Sequence, residues 1–172
     1  MKNKHILRLS FLLLFASTIS FAQTTTAAQA LAQNGLTKAI SQDREGAIVD
    51  YTKSLAYEKN PDTYYKRGVA YFLTKQYTKA IEDFNNAEVG KKDDADLFSL
   101  RAKCKAELKD NENAIIDFNK AIELRPSSGE FYFFRALSKI SLKDNDGACK
   151  DLRKAIDLNY GKALSTLQTN CN

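Results

Sequence analysis

The sequence predicts an all-α chain of stacked antiparallel helical hairpins, and three observations carry that expectation. Its 172 residues include two Pro and seven Gly, too few breakers for a turn-rich β architecture. A six-residue block recurs four times at a nearly fixed interval. The recurring columns pair small with large side chains at helical spacing. With 44% hydrophobic and 27% charged residues, the composition is that of an ordinary globular protein, and the length has room for one domain.

The first 22 residues stand outside this pattern. Lys2, Lys4 and Arg8 precede an apolar run from Leu9 to Phe15 that continues through Ile19 and Phe21. Ser20 and Ala22 put small residues three and one positions before a cut after Ala22, the layout of a secretory signal peptide. The Phe-Ala-Gln ending resembles bacterial signal peptides. An uncleaved anchor is the competing reading. The run, however, is about half the ~20 residues a spanning helix needs, and Ser10, Ser17, Thr18 and Ser20 dilute it. No span is expected in the mature chain. Cleavage removes three cations and no acid, taking the formal net charge from +5 to +2, so nothing favours nucleic acid as a partner.

Residues 23–27 read as a short linker, and four copies follow over 28–60, 61–94, 95–128 and 129–160. The block Lys79 to Phe84 recurs at Gly46 to Tyr51, Asn113 to Phe118 and Gly147 to Leu152, and its Ala column (Ala47, Ala80, Ala114, Ala148) is spaced by 33, 34 and 34 residues. In the first helix of each copy, Leu31, Tyr64, Phe98 and Tyr132 stand four residues before Gly35, Gly68, Ala102 and Ala136. In the second, the Ala column stands four before Tyr51, Phe84, Phe118 and Leu152, and Ser54, Ala87, Ala121 and Ala155 complete the face. Small residues on one helix accept large ones from the other. Polar stretches such as Lys109-Asp110-Asn111-Glu112 form the turns between them. No single hairpin can bury both its faces, so neighbours must stack. Gly161 to Asn172, with Ala163, Leu164 and Leu167, reads as a terminal capping helix.

This period and column pattern resembles the tetratricopeptide repeat, over roughly residues 28 to 160. The resemblance implies a right-handed α-solenoid whose first helices line a concave groove that binds a peptide or protein partner. Projected onto this chain, the groove columns are Tyr65, Val69, Phe72 and Leu73; Ser99, Lys103, Ala106 and Glu107; and Glu130, Phe133, Leu137 and Ile140. That predicts apolar, aromatic flanks with a polar band between them. The chaperone-binding branch of the family clamps a terminal carboxylate with Lys and Asn; those positions fall on Ala32 and Leu36 here, so no clamp is expected.

Other noticeable residues read as architecture. Arg67 and Asp83, Arg101 and Asp117, and Arg135 and Asp151 are each 16 apart, equidistant from the inter-helix turn, and predict ion pairs within the hairpins. Asn34 replaces the Arg opposite Asp50, so the first pair should be missing or weak. Asp93, Asp94 and Asp96 read as solvated loop charges. If the C-terminal helix runs back along its neighbour, Cys171 approaches Cys149 and a disulfide staples the cap, two unpaired thiols being the alternative; Cys104 is expected as a buried free thiol. The sole His, His5, leaves with the signal, and no Cys-x-x-Cys, phosphate loop or nucleophile elbow remains. We therefore expect no enzyme activity, metal or cofactor. The expected protein is a scaffold of the periplasm or cell envelope; a structural, self-assembling homo-oligomer is the alternative.

Overall fold

The computed structural model describes residues 23–171, and the signal-peptide reading of residues 1–22 lies outside the described residues. The described chain is helical throughout. Helix α1 covers 23–40, followed by α2 (Arg44–Tyr57), α3 (Pro61–Leu73), α4 (Tyr77–Glu88), α5 (Ala95–Glu107), α6 (Asn111–Leu124), α7 (Gly129–Ser141), α8 (Asn145–Asp157) and α9 (Ala163–Asn170). Consecutive helices pack in antiparallel pairs, giving four hairpins and a closing helix.

Residues 23–27 belong to α1 rather than to a linker. No Gly or Pro interrupts the sequence before Gly35, and Ala28 is buried where its carbonyl accepts a hydrogen bond from Ser54 Oγ of α2 at 2.7 Å. The α1–α2 packing therefore rewards continuing the helix backwards. At the other end, α9 begins only at Ala163, after the turn around Gly161.

Helix boundaries follow from local chemistry. Asp43, Asn60, Asp94 and Asp144 cap α2, α3, α5 and α8 by accepting from backbone N–H groups one turn in, which satisfies donors the helix cannot. Pro61 sits in the first turn of α3, where its missing N–H costs nothing. Each first helix ends with a residue in the left-handed region: Gln42, Lys75, Lys109 and Lys143, with Asn159 doing the same after α8, all at φ between 60° and 66°. Around Lys75 the Gln76 N–H donates to Tyr71 O (2.8 Å) and the Lys75 N–H to Phe72 O (3.0 Å). The same two bonds recur at the other four ends. This is the Schellman geometry, reached here without glycine.

The core is the small–large interlock the columns require. Ala47, Ala80, Ala114 and Ala148 are fully buried, as are the rings of Tyr51, Phe84 and Phe118, each ring contributing about 2–3 kcal/mol by burial. A methyl on Gly35 would come within 2.8 Å of the Tyr51 ring, so the first hairpin closes only around glycine. Along the stack, α3 meets α5 and α5 meets α7, whereas no contact of that extent joins α4 to α6 or α6 to α8. The first helices of successive hairpins are thus the closer set, and their side is the concave one.

The charge pairs bind hairpins to each other as well as helices within them. Arg67, Arg101 and Arg135 each donate two hydrogen bonds, of 2.6–2.8 Å, to Asp83, Asp117 and Asp151. The remaining guanidinium nitrogen donates to the preceding hairpin: to Thr52 Oγ1, Asn85 Oδ1 and Asn119 Oδ1. The bond to Asp83 holds the Arg67 pKa above its ordinary value. In the first hairpin Asp50 has the weaker pairing expected: Lys38, one turn beyond Asn34, reaches it at 2.7 Å in place of a two-pronged Arg. Lys105 and Lys139 make the corresponding contact to Asp117 and Asp151.

Candidate binding groove

The concave face is built from α3, α5 and α7, and a cavity of about 320 Å³ adjoins it. Five of the residues projected onto the groove line it: Phe72 from α3, Lys103, Ala106 and Glu107 from α5, and Leu137 from α7. Four of its twelve lining residues are aromatic. Phe118 and Phe134 stack with centroids 6.4 Å apart, and Phe72 packs against Tyr77 at 6.2 Å.

The polar band resolves into fixed and free groups. Lys103 is committed on both sides, its Nζ donating to Glu130 and lying 4.3 Å from the centre of the Phe134 ring. Glu107 and Lys109 stand exposed at the rim. Ser99 is buried under α5 and does not face the cavity.

The remaining projected residues are placed elsewhere. Tyr65 and Val69 pack onto the α3–α5 core, Tyr65 against Phe84 (6.0 Å) with Lys91 Nζ 5.0 Å from its ring centre. Burial, reinforced by Asp94 and Asp96, pushes the Tyr65 hydroxyl up to about 12. Phe133 and Ile140 join Tyr160 and Leu167 in the cluster under the C-terminal helix. Leu73 is exposed at the edge of α3.

Several lining residues escaped the column projection: Tyr77, Asn111, Phe118, Phe134 and Ser141. The run Phe131 to Phe134 carried a usable signal, since it holds more aromatics than the core columns of one hairpin need. The acidic cluster is also more structured than a solvated loop. Asp94 caps α5, and Asp96 accepts both bonds of Arg125 at 2.9 and 2.8 Å.

At the C-terminal end, Cys149 and Cys171 are joined, with 5.8 Å between their Cα atoms, tying the end of α9 to the start of α8. Cys104 is a buried free thiol whose pKa burial raises to about 12. Among the described residues no group of His, Cys, Asp and Glu is arranged to hold a metal, and no helix is long and apolar enough to cross a membrane.

Stacked hairpins with a lined concave face define a helical-repeat scaffold for protein–protein interaction. The chain belongs to the tetratricopeptide repeat family: the family model matches residues 61–88, 95–128 and 129–162, just over half of the chain. The architecture is accordingly the right-handed α-solenoid of that family. The first hairpin falls outside the match, in keeping with its Asn34 and Ser54. No curated protein matches the sequence. Among solved structures, the chain resembles the MamA protein (TM-score 0.77, 25% identity, covering 85% of this chain and 80% of that one). It also resembles the first tetratricopeptide domain of Spaghetti (RPAP3), bound to the HSP90 peptide SRMEEVD (TM-score 0.64, 25% identity, 69% and 95% covered). The Arabidopsis OM64 domain shares the fold at 19% identity (TM-score 0.63, 67% and 97% covered).

Proposed function

We propose that this chain is an exported, non-catalytic scaffold that holds a peptide or a segment of a partner protein in its concave groove. The observation that carries the reading is the cavity assembled from three successive repeats and lined by residues of α3 to α7. Aromatic rings set among polar side chains suit the side chains and backbone of a peptide. The similar Spaghetti domain was solved with a peptide bound, which supports the class of ligand. Its identity is a separate matter here, since Ala32 and Leu36 stand where the carboxylate clamp would be.

Export is supported by the basic and apolar N-terminus and by the Cys149–Cys171 link, a bond that persists in oxidising compartments. The periplasm or cell envelope is the location this favours. Mass measurement of the chain recovered from cell fractions checks it; a cytoplasmic chain retaining Met1 would refute it.

Binding a partner is favoured over end-to-end self-assembly because the Arg ladder stops at both ends. Asn34 offers no guanidinium to a preceding copy. Arg153 occupies the column where Thr52, Asn85 and Asn119 accept the next hairpin's Arg, and an Arg cannot accept. The test is selection of binders from a displayed random-peptide library by the full mature chain, followed by Leu73→Glu on the exposed groove edge. Selected peptides should bind at least tenfold more weakly to the folded variant. Undiminished binding would remove the groove as the site.

A further inference from the structure

One covalent bond, more than packing, holds the closing helix in place. Helix α9 has eight residues and starts without a side-chain cap; a helix so short is marginal in water. It carries no charged side chain. Ala163 is its one fully buried residue, Leu164 is exposed, and Leu167 is half-buried against Phe133, Ile140 and Tyr160. The side-chain hydrogen bonds of Ser165, Thr169 and Asn170 go to carbonyls of α9 itself or of its N-cap Lys162. The Cys149–Cys171 link is what ties this helix to α8. Beside the link lies a cavity of about 270 Å³, lined by both half-cystines and by Asp146, Lys150 and Arg153. All three charged residues are exposed, and none is in a salt bridge among the described residues. Asp146 and Arg153, three back and four on, share the Cys149 face of α8. Arg153 is free for an architectural reason. Thr52, Asn85 and Asn119 in its column accept from the Arg of the next hairpin, whereas α9 has Thr169 at the corresponding position.

We infer that the Cys149–Cys171 bond is a redox latch, opened by an anionic thiol that enters this cavity and exchanges with Cys171, which frees α9 from the fourth hairpin. Cys171 is the more exposed half, Cys149 being 9% exposed, so Cys171 Sγ is the sulfur attacked. In the first exchange the incoming thiolate sulfur bonds to Cys171 Sγ, the protein disulfide breaks, and Cys149 leaves as a thiolate. Lys150 and Arg153 outweigh the single carboxylate of Asp146, so the cavity favours an anion. The same cations stabilise the Cys149 thiolate, and a better leaving group departs faster. A second thiolate then displaces Cys171 from the mixed disulfide. With two protons from water the chain is left with two thiols. Its disulfide has gained the two electrons that the two reagent thiols lost in forming their own. With the bond open, α9 keeps the burial of Ala163 and part of Leu167, and its departure uncovers Phe133, Ile140 and Tyr160. The exchange needs nothing from the groove.

The test uses the full mature chain in its oxidised form, with glutathione or cysteamine supplied at equal thiolate concentration. Opening is followed by native alkylation and mass measurement. Glutathione is anionic and cysteamine is not, so glutathione should open the bond about tenfold faster at low salt, the low end of what a charged cleft gives. High salt should shrink that preference to about twofold. The double variant Lys150→Gln, Arg153→Gln should shrink it equally and leave the unfolding midpoint in place, because both positions are exposed. Once the bond is open, α9 amides should exchange about tenfold faster or more while α3 to α6 stay protected. Cys104, fully buried, should stay unalkylated and so report that the chain is folded. Three results overturn the latch. An opening rate independent of thiol concentration would mean that the bond is reached only when the whole chain unfolds. A double variant that keeps the full preference for glutathione would remove the cations from the site. Protection of α9 that survives reduction, or that survives in Cys171→Ser, would show that packing alone holds the helix.

Discussion

The intra-repeat turns store strain that a substitution should release. Lys75, Lys109 and Lys143 all hold φ between 60° and 65°, a conformation that costs an L-residue about 1–2 kcal/mol. All three are exposed, and none is in a salt bridge, so removing the side chain sacrifices little. Glycine adopts the same angles freely but loses about 0.5–1 kcal/mol more entropy on folding. The net gain is about 0.5–1 kcal/mol per site. The sites lie in different hairpins and share no partner, so the effects should add. The triple change Lys75→Gly, Lys109→Gly and Lys143→Gly should therefore stabilise the chain by about 2 kcal/mol, a rise of roughly 4–8 °C in Tm for a domain of this size. Urea titration followed by circular dichroism measures it, with an unchanged m value showing that surface burial is the same. The matching triple Ala variant keeps a Cβ at each turn and should show no gain. Equal stabilisation by Ala, or none by Gly, would refute the strain account.

Three further outcomes test the architecture. Replacing Arg101 with Leu strands Asp117, which is 3% exposed. Because Lys105 still reaches that carboxylate at 2.7 Å, the loss should be about 3 kcal/mol in urea titration, at the low end for a broken buried pair. Changing Cys149 and Cys171 to Ala opens a link spanning 22 residues and should cost about 3 kcal/mol, with amide exchange in α9 rising before that of α3 to α6. The Cys104 thiol, raised to about 12 by burial, should resist iodoacetamide at pH 8 in the native chain and react fully in denaturant; rapid native alkylation would contradict its buried placement.

The fold was legible because the repeat writes tertiary packing into local columns. Ala80 and Phe84, four apart, already state that a small residue and a ring share one helix face, and repeating them every 34 residues states that such faces stack. Arg67 and Asp83 were legible for the same reason, since equal distance from a turn fixes their level in an antiparallel pair. The left-handed turns were not: Lys75 carries no composition signal for positive φ, and only the backbone bonds to Tyr71 and Phe72 reveal it. The Lys contact that Asp50 shares with Asp117 and Asp151 also depended on how far a side chain reaches one helical turn later.

The groove divides along the same line. The columns bring Phe72, Lys103, Ala106, Glu107 and Leu137 around one cavity, because position on a helix is a matter of period. They could not tell that Phe133 and Ile140 are drawn under α9, or that Lys103 is taken up by Glu130. Those outcomes depend on side-chain volume and reach across three neighbouring hairpins. By itself the sequence determined the helices, their pairing and the face that lines the groove; which groove atoms are left free to meet a partner was decided only by packing between repeats.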